Sequence, residues 1–447
     1  MKTLLAFSIG FTLAAVLSGA AVYRAGGDLQ FKMRIAQDIA SRQPVADQSK
    51  GSTAATPNAA LMSGEAWRAF CDLLEKAGEQ ILRDDVPGDP RTRAEGFEFL
   101  SGLLLSGLNM YMFADPDRPH FVRPLDWEAK WGLDNSDALY MSAAVDGSMT
   151  YRIHGTRGTV RFLGIQASSG RFGSSQPMGV ASNLTGDELS IADDGSFEII
   201  ASAKPQPGNW LRLTPETNSI GVRMFFSDWD DEEPGQLYIE RVDGPAGARI
   251  ADTHSVARRL GEVAGFVEGS AKLWTEFTLG RRAAMFNTLT APAGAGDMQG
   301  SNAQRYGAGH YALHDDEALL IEFEPPDAVY WNFELGDFFQ RSLDFANRPI
   351  SINDHQAVVD PDGLVRIVVS SRDPGLANWL DTTGIREGPI TYRWNGATTH
   401  PHPRTRVVRL EDLDREVPAN SVRISPTQRA ERIEARRQAV QRRFQRG

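Results

Sequence analysis

Cysteine is nearly absent from this chain: Cys71 is the single thiol in 447 residues. One thiol excludes an internal disulfide framework, a cluster held by several thiolates and a multi-cysteine zinc site. Positive charge is also in short supply. Lysine and arginine number 47 against 58 aspartates and glutamates, a formal net charge of −11. Nucleic-acid phosphates demand a basic footprint, so that class of partner is excluded. No glycine-rich phosphate loop, dinucleotide fingerprint, Gly-x-Ser-x-Gly elbow or His-Glu-x-x-His pair occurs. What is present is a globular composition, 41% apolar and 23% charged, in a chain long enough for two or three domains.

The N-terminus reads as an address. Leu4 to Tyr23 is uncharged and just long enough, as a helix, to span a bilayer core. Residues 1–24 are therefore a signal anchor, or a signal peptide cut near Ser18-Gly19-Ala20-Ala21, and Lys2 holds the short N-terminus inside. Either reading places the body in the periplasm, anchored in the bacterial inner membrane or released. Residues 25–61 form a linker, rich in Ser, Thr, Ala, Gln and Pro from Gln43 to Pro57.

Residues 62–115 have helical periodicity. Trp67, Phe70, Cys71, Leu74, Ala77 and Ile81 share one face, which makes Cys71 an inert core thiol. After the breaker at 86–90, Thr92 and Glu95 form a capping-box pattern for a second helix, so a helical hairpin is expected. Residues 120–245 and 300–410 alternate with period two, as β modules do, and residues 250–295 return to helical spacing. Gly235 to Gly247 reads as a break in the first module. Residues 411–447 form a basic C-terminal tail, with a local +5 over 426–447 that suits an anionic membrane surface.

The two β regions repeat one another. Asp194-Gly195 opens a strand pattern, followed by Asn209-Trp210-Leu211 and a strand bearing Arg223. Asp362-Gly363 does the same, followed by Asn378-Trp379-Leu380 and Arg393. Gly195 to Trp210 is 15 positions and Gly363 to Trp379 is 16; Trp210 to Arg223 is 13 and Trp379 to Arg393 is 14. Upstream, Phe162 and Trp331 lie 33 and 32 positions before the respective glycines. The expected fold is mainly β with helical additions: two jelly-roll-like antiparallel β-sandwich modules, an N-terminal helical hairpin and an intervening helical segment.

The paired Asn-Trp-Leu motifs, each followed by an arginine strand, and the segment Asp134-Asn135-Ser136-Asp137-Ala138-Leu139-Tyr140 resemble bacterial proteins with the domain of unknown function numbered 1214, often paired with the domain numbered 1254. The resemblance spans roughly 120–230 and 300–395 and implies β-sandwich modules. Arg212 and Asp381 stand where that family often has proline.

The candidate chemistry concentrates in the second copy. Asp373, His355 and Asp381 are candidate acid–base residues, with Asp344 a second carboxylate for glycoside cleavage. Arg372, Asn378, Trp379, Asn353 and Arg393 are candidate ligand contacts, the tryptophan as an aromatic platform or as a core plug. His310 and His314, and the acidic residues Asp228, Asp230, Asp231, Glu232 and Glu233, read as surface groups rather than metal ligands, and Asp134, Asn135 and Asp137 raise the same question. No cofactor is implied. The leading expectation is an envelope protein that binds or processes a small organic or saccharide ligand between the two modules. Alternatives are a non-catalytic interaction module and a metal-assisted hydrolase or lyase.

Overall fold

The computed structural model describes residues 56–172, 178–294 and 304–444. The readings made on residues 1–24 and on the linker up to 55 lie outside the described residues. Among those described, no helix is long and apolar enough to cross a membrane.

A helical layer comes first. α1 (Pro57–Met62) leads into α2 (Glu65–Ile81), and α3 (Pro90–Gly107) runs on into a π turn at Leu108–Met112. Asp89 caps α3: its carboxylate accepts the N–H groups of Arg91 and Thr92, and Pro90 takes the first helical position. The helix thus starts three residues before the expected Thr92 cap, and Glu95 pairs with Arg91 instead. α4 (Thr253–Ala284) is the spine against which α2 and α3 pack. α2 meets it along a narrow seam of Phe70, Ala77 and Ile81, which leaves Trp67 and Cys71 exposed. The thiol expected in the core is on the outer face.

The first module is a two-sheet sandwich. One sheet orders β1 (Ala138–Ala144), β7 (Thr217–Phe225), β3 (Phe162–Ser169) and β4 (Gly179–Thr185); the other orders β6 (Trp210–Arg212), β5 (Ser196–Ser202), β2 (Tyr151–Gly158) and β8 (Pro234–Arg241). β8 occupies the stretch expected to break the pattern. The second module repeats the layout. Its first sheet orders β9 (Ala293–Gly294), β10 (Gln304–Ala312), β16 (Glu387–Asn395), β12 (Tyr330–Leu335) and β13 (Ser351–Asn353). Its second orders β15 (Trp379–Asp381), β14 (Val365–Ser370), β11 (Glu317–Phe323) and β17 (Arg404–Arg409). Beyond the extra β9 the orders correspond strand for strand. The pairs β5–β6 and β14–β15 are parallel, so the sheets are mixed rather than wholly antiparallel.

Register corrects one equivalence. Phe162 lies opposite Phe225, two residues past Arg223, and Tyr330 lies opposite Asn395, two past Arg393. Tyr330, not Trp331, is therefore the counterpart of Phe162, and both stand 33 positions before their glycines. Those glycines, Gly195 and Gly363, sit at φ +81° and +85° in matching turns, a conformation that glycine alone adopts without strain.

Asp134 to Asp137 enter β1 as a buried polar hub at the junction of the modules, not as a metal loop. Asp137 accepts from Trp229 Nε1 (2.7 Å) and, across the junction, from the Tyr330 hydroxyl (2.7 Å), Asn332 Nδ2 (3.0 Å) and Asn353 Nδ2 (2.9 Å). The Ser136 N–H donates to Glu334 and its hydroxyl to Ser351. The residues expected as a basic tail form α5 (Leu413–Glu416) and α6 (Pro426–Phe444). α6 turns arginines into the protein: Arg443 donates to the Ser136 carbonyl (2.6 Å) and lies over Phe226 and Trp229, and Arg436 reaches the Phe345 carbonyl. Ala439, Val440 and Phe444 join the apolar cluster shared by both modules.

Asp137→Asn aims an amide N–H₂ at donors that need an acceptor. The expected loss is about 3 kcal/mol or more, because unmade bonds to buried groups cost their full desolvation. Asp231→Asn on the exposed acidic loop is expected to stay within about 0.5 kcal/mol. Denaturant unfolding followed by tryptophan fluorescence checks both.

Candidate functional site

A cavity of about 410 Å³ lies between the first sheets of the two modules and α4. Its walls come from equivalent positions of the repeat. Tyr140 on β1 faces Arg223 on β7, and Tyr306 on β10 faces Arg393 on β16. All four line the cavity. Each arginine also reaches across to the third strand: Arg223 to Gln166 (3.4 Å) and Arg393 to Glu334 (2.9 Å). Arg393 donates further to Asn332 and to the Leu133 carbonyl.

The two pairs converge. Burial pushes the Tyr140 phenol well above its ordinary value, and both Arg393 and Arg223, one from each module, pull against that rise. Its hydroxyl accepts the Asn135 N–H (3.1 Å), leaving its own proton to donate. Burial also raises the Glu334 carboxyl, against the pull of Arg393 beside it.

The helical side is aromatic and cationic. Trp274, Phe277, Arg258, Arg259 and Arg281 project from α4, and Tyr111, Trp131 and Phe172 complete the lining. Arg171 and Arg258 both pair with Glu262. Arg259 is 8% exposed, lines the cavity, and makes no hydrogen bond or ion pair with any described residue. A buried cation with no counter-charge is costly, so an anion entering the cavity gains what the fold leaves unpaired.

Of the candidate catalytic and ligand-contact residues, the cavity gathers only Arg393; Asp134, Tyr140 and Arg223, named from sequence in other roles, also line it. Asn378 ties its loop, accepting from the Val358 N–H and donating to the Val358 and Arg366 carbonyls. Asn209 makes the same three bonds to Ser190 and Glu198. Trp379 donates to the Ser370 carbonyl, as Trp210 does to Ser202. Asp373 is held by Arg429 (2.9 Å), and Asp381 takes the Thr383 N–H and reaches Arg348. Arg372 is exposed, and its carbonyl accepts from Ser370. Asn353 belongs to the Asp137 hub. His355 is exposed beside Asp228 (3.6 Å), and Asp344 binds Asn347. These side chains do not form one pocket: Arg372, Asp373, Asn378, Trp379 and Asp381 lie on or beside β14 and β15 of the second sheet of module two, whereas Asn353 lies on β13, with Asp344 and His355 flanking that strand, at the edge of the first sheet. Sequence reasoning missed Arg259, Tyr140, Tyr306, Gln166 and Trp274. One signal was available: Tyr140 ends the Asp134–Tyr140 motif.

A family model for a protein of unknown function, DUF1214, matches residues 137–227 and 297–397, one block on each module. The chain is also 42% identical to an uncharacterised protein from Burkholderia cenocepacia of known crystal structure, covering 79% of this chain and 99% of that one, with a TM-score of 0.77. This chain belongs to the DUF1214 family. A structure from Vibrio parahaemolyticus is 11% identical, covering 75% of this chain and 100% of that one, with a TM-score of 0.40. No curated protein matches the sequence. In this DUF1214 protein the family blocks supply both Tyr–Arg pairs of the cavity, while Arg259 lies between the blocks.

Among the described residues no group of three His, Cys, Asp or Glu side chains could hold a metal ion. His310 is buried (1% exposed) with both ring nitrogens unpartnered, whereas His314 is exposed. Burial, with Arg282 and Arg281 nearby, lowers the His310 pKa to about 4. The unfolded chain therefore takes up this proton from about pH 6.5 downward while the folded one does not. Stability is expected to fall by up to about 3 kcal/mol between pH 6.5 and 4 from this group alone. His310→Leu should flatten that limb in unfolding titrations run as a pH series.

Proposed function

We propose that the protein binds a small organic anion in the cavity between its two β modules, and that it does so as an exported protein tethered at the membrane. The observation that carries the ligand is Arg259, buried against the cavity with no partner in the described protein. Two supports stand beside it: the converging Tyr140–Arg223 and Tyr306–Arg393 pairs, and the aromatic rings of Trp131, Phe172 and Trp274, which suit an apolar body. Location rests on the apolar run from Leu4 to Tyr23.

Calorimetric titration of the full-length chain in lipid nanodiscs with 1-naphthoate, against protein-free discs, tests the reading. Saturable binding near one to one is expected. Arg259→Gln should weaken it about tenfold or more, the size of a lost charge-assisted hydrogen bond, without lowering the melting temperature. Equal affinity in the variant overturns the proposal, as does a wild-type chain that binds neither 1-naphthoate nor tri-galacturonate nor dodecanoate.

A further inference from the structure

The cavity has two unlike sides, and the difference narrows the ligand. Its sheet side is rich in neutral polar groups. Ser142, Gln166, Ser168, Ser219 and Thr391 all line it. The Ser142 and Ser219 hydroxyls make no hydrogen bond within the described protein. Its helical side, with Phe172, presents Tyr111, Trp131, Trp274 and Phe277. Gln166, Ser168 and Thr391 already bond within the protein, but an alkyl chain filling this space would leave the Ser142 and Ser219 hydroxyls without partners, at a cost in free energy. A sugar ring matches both sides, since its hydroxyl rim bonds to polar side chains and its C–H face lies on aromatic rings.

The cavity also extends along α4, since its lining runs from Arg259 to Arg281 of that helix, and its volume of about 410 Å³ exceeds what one sugar ring fills. At one end Arg259 stands beside Arg258 and Arg171, which share Glu262. Planar guanidinium groups recognise carboxylates through paired N–H donors.

We infer that the ligand is an acidic oligosaccharide, a chain of sugar units bearing a uronate carboxylate that Arg259 engages while the rings lie between Ser142, Ser219 and the aromatic side. The inference rests on the anion-binding reading of the same cavity and adds the chemical class. Tri-galacturonate, its methyl ester, maltotriose and dodecanoate are titrated calorimetrically into the full-length chain in nanodiscs, beside 1-naphthoate. Tri-galacturonate is expected to bind saturably, and the ester and maltotriose at least tenfold more weakly. Arg259→Gln should reduce tri-galacturonate to the level of the ester. The double variant Ser142→Val, Ser219→Val should weaken tri-galacturonate at least tenfold and 1-naphthoate, which has no hydroxyls for these serines, by less, with circular dichroism melts confirming that each variant is folded. Arg259-dependent binding of dodecanoate or 1-naphthoate without tri-galacturonate overturns the saccharide class and leaves the anion reading standing. Binding of none of the three acids overturns both.

Discussion

Asp137 is completely buried, and its carboxylate accepts four hydrogen bonds, three of them from the other module. A charge in such surroundings is stable only while its donors stay in place, and they stay only while the two modules keep one relative position. The neighbouring backbone is fixed with it. Leu133 offers its carbonyl to Arg393, and Ser136 offers its N–H to Glu334 and its carbonyl to Arg443. The cavity wall around Arg393 is thus set by the interaction that joins the modules.

Duplication explains why the cavity has its shape and why it is not symmetric. Each copy places a tyrosine opposite an arginine on equivalent strands, so two copies bring two phenols and two guanidiniums to one space. The third strand differs. Copy one offers the amide of Gln166, and copy two the carboxylate of Glu334. Glu334 also belongs to the junction through Ser136, so the second copy spends its arginine on architecture more than the first does. Arg259, on the helix between the copies, has no such duty.

The C-terminal helix shows how a charge pattern can mislead. Seven arginines after residue 425 suit an outward basic surface when read along the chain. In the fold, Arg429 lies over Trp379 and bridges Asp373, while Arg443 caps Phe226 and Trp229. An arginine stem and its flat guanidinium cover aromatic surface as well as any apolar residue, so helix α6 can dock through residues that look solvent-directed. The same contact explains Asp373: its acidity answers Arg429.

The sequence by itself determined the repeat and the order of helical and β regions. Those signals are local, since strand alternation, glycine turns and fixed spacings act within a few tens of residues. It also named Arg393, which lines the cavity between the modules. It did not reveal that Asp373, His355 and Asn378 face elsewhere, that Cys71 lies outside the core, or that Arg259 stands buried without a partner. Only the tertiary structure decided these, because the side a strand or helix turns toward a neighbour depends on what packs against it. Here α4 and the two first sheets, distant in the chain, meet around one space, and their meeting selects which arginines line it.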